Sequence, residues 1–281
     1  MHPASDFEQH RSALFGLAYR MLGSAHEAED IVQEAYLRYA AETAPILSLK
    51  PYLMTIVARL CLDTMKSARV RREEYIGPWL PEPVLTSTPA DTAIEAESLS
   101  FAFLVVLETL SPAERAVFLL REVFDYDYAD IAAMLETSEA NCRQLLKRAR
   151  THIDARRPRF PIPEQRHQAL LSSFAQACAD GDLHSISAML VNDAKMYSDG
   201  GGKVRAALNP IHGADAISRF FVGIRGKGQA GVTVRIGPVN GQPAVLGYVG
   251  DQLVYVAQVR LEGDSISEIY IVANPDKLPS V

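Results

Sequence analysis

The side chains best suited to contact with a polyanion lie between positions 138 and 148. Amide and guanidinium groups can pair with base edges in the major groove of DNA, and lysine or arginine can neutralise phosphates. Such side chains project, together with Glu139, from one side of a predicted helix: Asn141, Arg143, Gln144, Lys147 and Arg148. The other side is apolar at helical spacing: Cys142, Leu145, Leu146, Ala149 and Ile153. The spacing therefore predicts a helix with one buried face and one DNA-reading face.

The elements that must position this face are two helices joined by a short turn. The first helix is predicted over Tyr128–Leu135, and the second runs to about Ile153 with Thr137 or Ser138 as its N-cap. This arrangement is typical of a helix-turn-helix, whose second helix enters the major groove. A generic amphipathic hairpin is the alternative. The short turn, the caps and the basic outer face favour DNA binding.

Charge is unevenly distributed along the chain. The net charge is −6, which argues against indiscriminate binding to nucleic acid. Two segments are nevertheless strongly basic: residues 58–72 contain five Lys or Arg against Asp63, and residues 143–159 contain seven against Asp154. Two basic segments in an acidic chain indicate two separate contacts with a polyanion. Solvated helix faces are the alternative for either segment alone.

Other chemistries find little support in the residue types. Cys61, Cys142 and Cys178 are far apart and lack the spacing of metal ligands, so we expect core thiols in a reducing cytoplasm, and neither metal nor cofactor. The sequence contains no apolar run of about 18 residues and no signal-peptide pattern at its N-terminus. We expect a cytoplasmic protein without membrane contact.

The 281 residues exceed one typical domain, and the pattern divides into three blocks. Residues 6–75 are helical, with predicted helices over Phe7–Leu22 and Tyr52–Arg72 and a capping box at Ser24–Glu27. A proline-rich linker follows, and then a second helical block over about residues 94–157, in which Ser111–Glu114 is a strong helix start.

The third block changes character after about residue 165. Its predicted helices are His167–Ala179, Leu183–Leu190 and Ala214–Ile224. Its predicted strands are Lys195–Ser198, Val232–Ile236, Ala244–Val249, Leu253–Leu261 and Ser265–Val272. Gly250-Asp251 and Gly263-Asp264 mark tight hairpins. Helices followed by an antiparallel meander predict an α+β domain.

Two helical stretches resemble the sigma-70 family of RNA polymerase sigma factors. Residues 110–122, 128–132 and 138–144 resemble region 4, and residues 27–38 resemble region 2. Two such regions joined by a short linker resemble the extracytoplasmic-function group. The resemblance implies two all-α domains that bind core RNA polymerase, at its clamp and flap regions, and promoter DNA, without catalysing bond chemistry.

The resemblance also assigns roles to individual residues. Asp30, Gln33 and Glu34 would contact core polymerase, where a solvated acidic face is the alternative. The −10 element would meet the loop Thr43–Lys50, which would hold a flipped base, and a basic helix that carries Arg59, Lys66, Arg69, Arg71 and Arg72. Arg59 stands where the family often has Asn, so a −10 base preference cannot be carried over. The −35 element would meet Ser138, Glu139, Asn141, Arg143, Gln144, Lys147 and Arg148.

The third block resembles the SnoaL-like, ketosteroid-isomerase-type cone, in which a curved antiparallel sheet wraps around helices and forms an apolar pocket. Enzymes and non-enzymes share that fold, so it cannot supply a function alone. A catalytic role would require a carboxylate or histidine inside the pocket. Asp199, His212 and Asp215 are the candidates, and all three lie beside turns, where capping or solvent exposure is the plainer interpretation.

Three short motifs resemble a SigJ-type subgroup, in which a fused SnoaL-like domain is thought to control the sigma factor in cis. They comprise Trp79, Leu80, Pro81, Glu82 and Pro83; Asp199, Gly200, Gly201, Gly202 and Lys203; and Asn274, Pro275, Asp276, Lys277 and Leu278. Glycine permits close backbone approach, and a tryptophan offers an apolar anchor. We expect these motifs to join the linker to the third domain, whose pocket could hold a small-molecule ligand.

These features predict four segments: region 2 over residues 1–75, the linker over 76–99, region 4 over 100–160, and a SnoaL-like regulatory domain over 161–281. Two further functions stay open. A one-component ligand-responsive regulator would use the helix-turn-helix but would not need the region 2 block. A sigma factor fused to an active isomerase or cyclase would need an acid or base inside the pocket.

Overall fold

The computed structural model describes residues 4–86, 100–154, 163–225 and 231–279, without the side chains of residues 68–73, 154 and 225. The chain forms two compact units. The first combines Met1–Glu73 with Leu104–Arg157, and the second combines Glu74–Phe103 with Pro158–Val281. The described part of the proline-rich linker, residues 76–86, therefore belongs to the same unit as the third block. None of the described helices has the length and apolar character needed to span a membrane.

The first unit begins with three helices: α1 (Ala4–Leu22), α2 (Ala25–Ala41) and α3 (Leu49–Glu73). The Ser24 hydroxyl accepts a hydrogen bond from the Glu27 N–H at 3.1 Å, which confirms the predicted start of α2. Apolar side chains at helical spacing, such as Leu17, Val32 and Val57, are fully buried between the three helices.

Helix α4 (Phe101–Leu107) begins in the Glu74–Phe103 segment of the second unit and ends in the first. The rest of the first unit contains α5 (Pro112–Phe118), a π-helical turn (Leu119–Val123), α6 (Tyr128–Met134) and α7 (Glu139–Asp154). The capping box at Ser111 and Glu114 is formed as predicted. Of the two candidate caps for α7, Ser138 accepts from the Asn141 N–H at 3.2 Å. Helices α6 and α7 thus form the predicted helix-turn-helix.

The second unit contains α8 (Glu164–Asp180), α9 (Leu183–Ala188), α10 (Ala214–Arg225) and one six-stranded sheet. The strands are β1 (Leu190–Asp199), β2 (Ile211–His212), β3 (Val232–Val239), β4 (Gln242–Val249), β5 (Gln252–Glu262) and β6 (Ser265–Val272), arranged in the order β2-β1-β6-β5-β4-β3. The predicted antiparallel meander is confirmed for β3–β6. The sheet as a whole is mixed, because β1 pairs with β6 in parallel. Helix α10 connects β2, at one edge of the sheet, to β3 at the other edge.

The hairpins of the meander follow the predicted turn chemistry. Gly250 and Gly263 have φ of 59° and 60°, the left-handed region that glycine tolerates best. The β3–β4 hairpin turns at Asn240-Gly241, where φ is 52° and 69°. Asn-Gly is a strong hairpin signal that the sequence prediction overlooked. The two-residue strand β2 was also missed, because two residues show no alternation.

The two faces of the sheet have different partners. One face packs against α8–α10, with Met196, Ile217 and Ile269 in the shared core. The opposite face carries a smaller apolar group that includes Leu246 and Val256, with Leu278 from the C-terminal tail packed against it. Side chains alternate along β1, so Asp199 lies on the opposite side of the strand from Met196 and points away from the helices.

Candidate nucleic-acid interface and linker-binding surface

The exposed face of α7 carries the residues predicted to read the −35 element. All seven are exposed, from Ser138 to Arg148, whereas Cys142, Leu146 and Ala149 between them are buried. The Asn141 amide donates to the Thr137 hydroxyl at 2.9 Å. The structure therefore brings these seven exposed residues together on one surface.

Arg143 is held in place by two neighbours on this surface. Its guanidinium pairs with Glu139 one turn earlier at 2.5 Å and lies 4.9 Å from the centroid of the Tyr128 ring. Arg121 lies 5.3 Å from the same ring. Cation–π contacts of this kind orient a guanidinium that would otherwise rotate freely. The helical periodicity of α7 could not predict that Tyr128 and Arg121 lie beside this surface, because both residues belong to other elements.

The acidic candidates on α2 form a second exposed face. Asp30 and Gln33 are exposed and Glu34 is half-buried, where it pairs with Arg38 at 2.9 Å. Leu37, which is 54% exposed, continues the same stripe because positions i, i+3, i+4 and i+7 share one side of a helix. A leucine beside acidic side chains is typical of a protein-binding surface more than of a DNA-binding one.

Of the basic candidates on α3, the structure describes the side chains of Lys66 and Arg59, which have different partners. Lys66 is exposed and pairs with Asp63 at 2.7 Å. Arg59 instead donates to the backbone carbonyl oxygens of Met134 and Ala133, at 2.8 and 3.3 Å. Arg69, Arg71 and Arg72 lie on α3, but their side chains are outside the described part of the structure.

A cleft of about 310 Å³ opens in the loop before α3. It is lined by Glu42, Ala44, Pro45, Ile46, Leu47, Ser48 and Tyr52. The Glu42 carboxylate organises one wall, because it accepts from the Thr43 and Ala44 N–H groups at 2.8 Å and from the Tyr52 hydroxyl at 3.2 Å. Burial, reinforced by the hydrogen bond to Glu42, raises the pKa of Tyr52. The cleft coincides with the loop predicted to hold a flipped base.

The second unit contains a buried carboxylate that binds the linker. Asp199, at 0% exposure, accepts from the Tyr75 hydroxyl at 2.6 Å and from the Leu80 N–H at 2.9 Å. It also accepts from the Gly201 N–H at 3.1 Å and from the Lys277 ammonium at 2.8 Å. Linker, strand end and C-terminal tail therefore meet at one carboxylate.

Lys277 completes this arrangement from the tail. Its ammonium lies 4.1 Å from the Trp79 ring centroid and 4.7 Å from that of Tyr75, and donates to the Leu80 carbonyl at 2.7 Å. Asn274 adds a hydrogen bond to the Tyr75 hydroxyl at 2.8 Å. Burial and the neighbouring Asp199 carboxylate raise the pKa of Tyr75, so its hydroxyl stays a donor.

The glycines beside Asp199 allow these segments to approach closely. Gly201 has φ of 59°, and a Cβ there would lie 2.3 Å from the Asn274 amide nitrogen. A Cβ on Gly202 would lie 2.9 Å from Ile76 of the linker. The exposed Lys203 pairs with Asp276 at 2.5 Å and links the same two segments at their rim.

The later part of the linker pairs with the end of β3. Asn240 donates its N–H to the Val84 carbonyl at 2.8 Å, and its side-chain oxygen accepts from the Val84 N–H at 3.0 Å. Leu85 forms an antiparallel bridge with Val239. We call Asp199, Asn240, Asn274 and Lys277 the linker-binding surface. The sequence motifs predicted three of these four, while Asn240 and its linker partners were missed.

Comparisons with known proteins show the family of this chain. The family model for sigma-70 region 2 matches residues 7–71, and that for sigma-70 region 4 matches residues 100–153. The ECF RNA polymerase sigma factor SigJ of Mycobacterium tuberculosis is 36% identical, over 97% of this chain and 92% of its own. This chain belongs to the extracytoplasmic-function (ECF) family of RNA polymerase sigma factors.

Two further matches cover this ECF sigma factor almost completely. The probable ECF sigma factor SigI of M. tuberculosis is 34% identical over 96% of the chain and 92% of its own length. The crystal structure of M. tuberculosis SigJ superposes with a TM-score of 0.79 at 33% identity, and the match covers 98% of each chain. The fold of both units is therefore that of a sigma factor with a C-terminal α+β domain. As a sigma factor, the chain directs RNA polymerase in transcription initiation.

The three catalytic candidates of the ECF sigma factor lie in different environments. The Asp199 carboxylate already accepts four hydrogen bonds on the sheet face away from the helices. His212 is exposed, and Asp215, also exposed, pairs with Arg219 one turn later at 3.0 Å. Among the described residues, Asp199, His212 and Asp215 do not come together in one site for acid–base catalysis.

Proposed function

We propose that this ECF sigma factor, in the cytoplasm, contacts core polymerase through α2, reads two promoter elements, and is restrained in cis by its C-terminal domain. The exposed face of α7 supports the −35 assignment, because its donors match base edges and its cations match phosphates. The cleft before α3 supports the −10 assignment, since it lies in the loop expected to meet a flipped base. Asp30, Gln33 and Glu34 provide the polymerase contact.

The buried Asp199 carboxylate is the observation that carries the proposal of control in cis. It binds the linker at Tyr75 and Leu80, and the tail at Lys277, without exposure to solvent. A buried ion pair is stable only when both partners stay in place, because either charge alone pays its full desolvation cost. Holding the linker this way limits how freely the two flanking sigma regions can move apart.

A small molecule bound between the helices and the sheet of the C-terminal domain would regulate this control in cis. His167, 9% exposed, lies on the face of α8 toward the sheet, and its Nε2 atom is buried without a hydrogen-bond partner. Burial lowers the pKa of His167, and the neutral ring hydrogen-bonds the backbone at Val259 through its other nitrogen, so Nε2 can accept one further hydrogen bond. The domain would then act by binding, and a change of linker affinity would transmit the signal.

Transcription in vitro with core polymerase tests the restraint. Promoters are first selected from fragments with randomised −10 and −35 elements, and the full-length chain is then compared with Asp199→Asn. Asp199→Asn weakens the hold on Lys277 and the linker, so transcript yield should rise several-fold. Asp215→Asn is the matched control, because that carboxylate is exposed and pairs only within its own helix. Equal or lower yield from Asp199→Asn than from the unmodified chain would contradict the restraint.

A further inference from the structure

The ring of Tyr128 contacts two guanidinium groups at the start of the helix-turn-helix. Tyr128 is the first residue of α6 and is half-buried. The Arg143 guanidinium lies 4.9 Å from the ring centroid, and that of Arg121 lies 5.3 Å from it. The face of an aromatic ring carries partial negative charge and attracts such cations. One ring thus binds a cation from α7 and another from the π-helical turn.

Local hydrogen bonds fix the backbone on both sides of Tyr128. The Asp127 side chain caps α6 by accepting from the Asp130 N–H at 2.8 Å. On the other side, the Arg121 guanidinium that approaches the ring also donates to the Tyr126 carbonyl oxygen at 2.7 Å. The position of the ring is therefore determined within region 4, before any DNA is bound.

Arg143 requires such a contact because it stands on an exposed surface. Its side chain is 56% exposed, and a solvated arginine side chain has many rotamers, each of which directs the guanidinium differently. The pair with Glu139 restricts Arg143 but uses an N–H donor of the guanidinium. A cation–π contact uses no N–H donor. The Tyr128 ring can therefore hold the guanidinium while its donors pair with another partner.

A base edge and a phosphate make different demands on an arginine side chain. Guanine presents O6 and N7 in the major groove, and bidentate pairing requires the planar fork of the guanidinium to align with both atoms. A phosphate attracts the positive charge in many orientations and carries no sequence information. Orienting the fork in advance reduces the ordering cost of the base contact. A fixed orientation therefore strengthens binding to one base pair and leaves the general attraction to DNA unchanged.

We infer that Tyr128 is a positioning residue for base selectivity at the −35 element, and that it holds Arg143 in the orientation that pairs with guanine. The inference rests on the proposed −35 contact of α7 and names the base that Arg143 selects there. It also assigns part of the selectivity to the first helix of the helix-turn-helix, through a side chain that acts by way of Arg143.

Competition binding of the holoenzyme, assembled from the full-length chain and core polymerase, tests the inference. A promoter selected from randomised fragments is compared with variants changed at single −35 base pairs. Tyr128→Leu should lower discrimination about threefold at the base pair that Arg143→Ala affects, the factor expected for an exposed cation–π contact. Tyr128→Phe keeps the ring and should retain the discrimination. The slope of log affinity against log salt should stay the same in both Tyr128 variants, because neither changes a charge.

A double-mutant cycle separates positioning from general damage to the helix-turn-helix. If Tyr128 acts through Arg143, Tyr128→Leu should have no further effect on discrimination in a chain that already carries Arg143→Ala. A trifluorinated ring in the Tyr128→Phe variant provides a second test, because it keeps nearly the same shape but has a less negative face. Discrimination should fall in that variant as well, even where Tyr128→Leu destabilises α6.

The positioning role is overturned if Tyr128→Leu and the fluorinated variant both retain full discrimination, or if their losses add to that of Arg143→Ala. Either result, together with a loss of discrimination in Arg143→Ala alone, would leave the proposed −35 contact intact. If Arg143→Ala instead weakened binding to all promoter variants equally, Arg143 would not read a base edge. That outcome would contradict the base contact of Arg143 and its positioning by Tyr128 together.

Discussion

The exposed face of α7 and the linker-binding surface contain the same kinds of charged side chain in opposite environments. The pair Arg143–Glu139 on α7 is about half exposed on both sides, at 56% and 46%. The pair Lys277–Asp199 is 8% and 0% exposed. Water screens the first pair and leaves its charges available to a partner such as DNA, whereas the second pair is committed to internal contacts. Burial therefore distinguishes charges that can bind a partner from charges that hold the linker in place.

Breaking the buried pair should have the largest effect. Lys277→Met keeps most of the stem volume but leaves Asp199 buried without its cation, which should destabilise the docked linker by about 3–5 kcal/mol. Trp79 is the only tryptophan of the chain and lies against Lys277, so its fluorescence reports linker docking during urea titration. The emission should shift to the red at lower urea concentration than in the unmodified chain.

Lys203→Met is the matched control for that experiment. Lys203 pairs with Asp276 between the same two segments, but both side chains are more than half exposed. Exposed pairs contribute between zero and about 1 kcal/mol. If the two lysine variants shifted the Trp79 transition equally, burial would not be the property that distinguishes the two kinds of pair.

The sequence predicted the two surfaces unequally. The face of α7 follows from periodicity and cap residues, because both are local, and its helix is present as predicted. The linker-binding surface joins positions far apart in sequence, such as Tyr75 and Asn274, and only resemblance to known motifs pointed to it. Tyr75 and Asn240 were missed, since neither spacing nor composition marks their partners.

The contacts of Arg59 show a second limit of prediction from sequence. Its position in a basic helix predicted a DNA contact, yet its guanidinium lies on the backbone carbonyls of Ala133 and Met134. Every residue type has a backbone carbonyl group, so no sequence pattern could have predicted that Arg59 binds the carbonyl groups of Ala133 and Met134. Whether Arg59 also meets the −10 element stays a prediction.

Close packing at the glycine motif gives the next largest effect. Gly201→Ala places a Cβ against Asn274 and also strains a positive φ, whereas Gly250→Ala has the same φ of 59° and open space around it. The backbone strain alone costs about 1–2 kcal/mol in each variant. The difference in unfolding free energy between the two variants, measured by urea denaturation, isolates the contact with the tail. Equal losses of unfolding free energy in the two variants would show that Asn274 moves away from the added Cβ without an energetic cost.

DNA binding by the α7 face should respond differently to two neighbouring cations. Arg143→Ala should cost about 1–3 kcal/mol and relax selectivity at one base pair, if its oriented guanidinium reads a base edge. Lys147→Ala should weaken binding to all sequences alike and reduce the slope of log affinity against log salt by about one. Competition binding of the holoenzyme to single-base promoter variants at several salt concentrations distinguishes them. If both variants weakened binding to all promoter sequences equally, Arg143 would contact phosphate and not a base edge.

The smallest expected effect concerns the exposed partner of Arg143. Glu139→Gln removes a pair that is half exposed, so the unfolding free energy should change by less than about 0.5 kcal/mol. DNA affinity should rise in the same variant, because a negative charge leaves the surface that approaches phosphates and Arg143 loses a competing partner. Thermal unfolding and fluorescence anisotropy with promoter DNA measure the two quantities in one preparation. A fall in stability of several kcal/mol, or a fall in DNA affinity, would mean that Glu139 organises α7 in the way that Asp199 organises the linker.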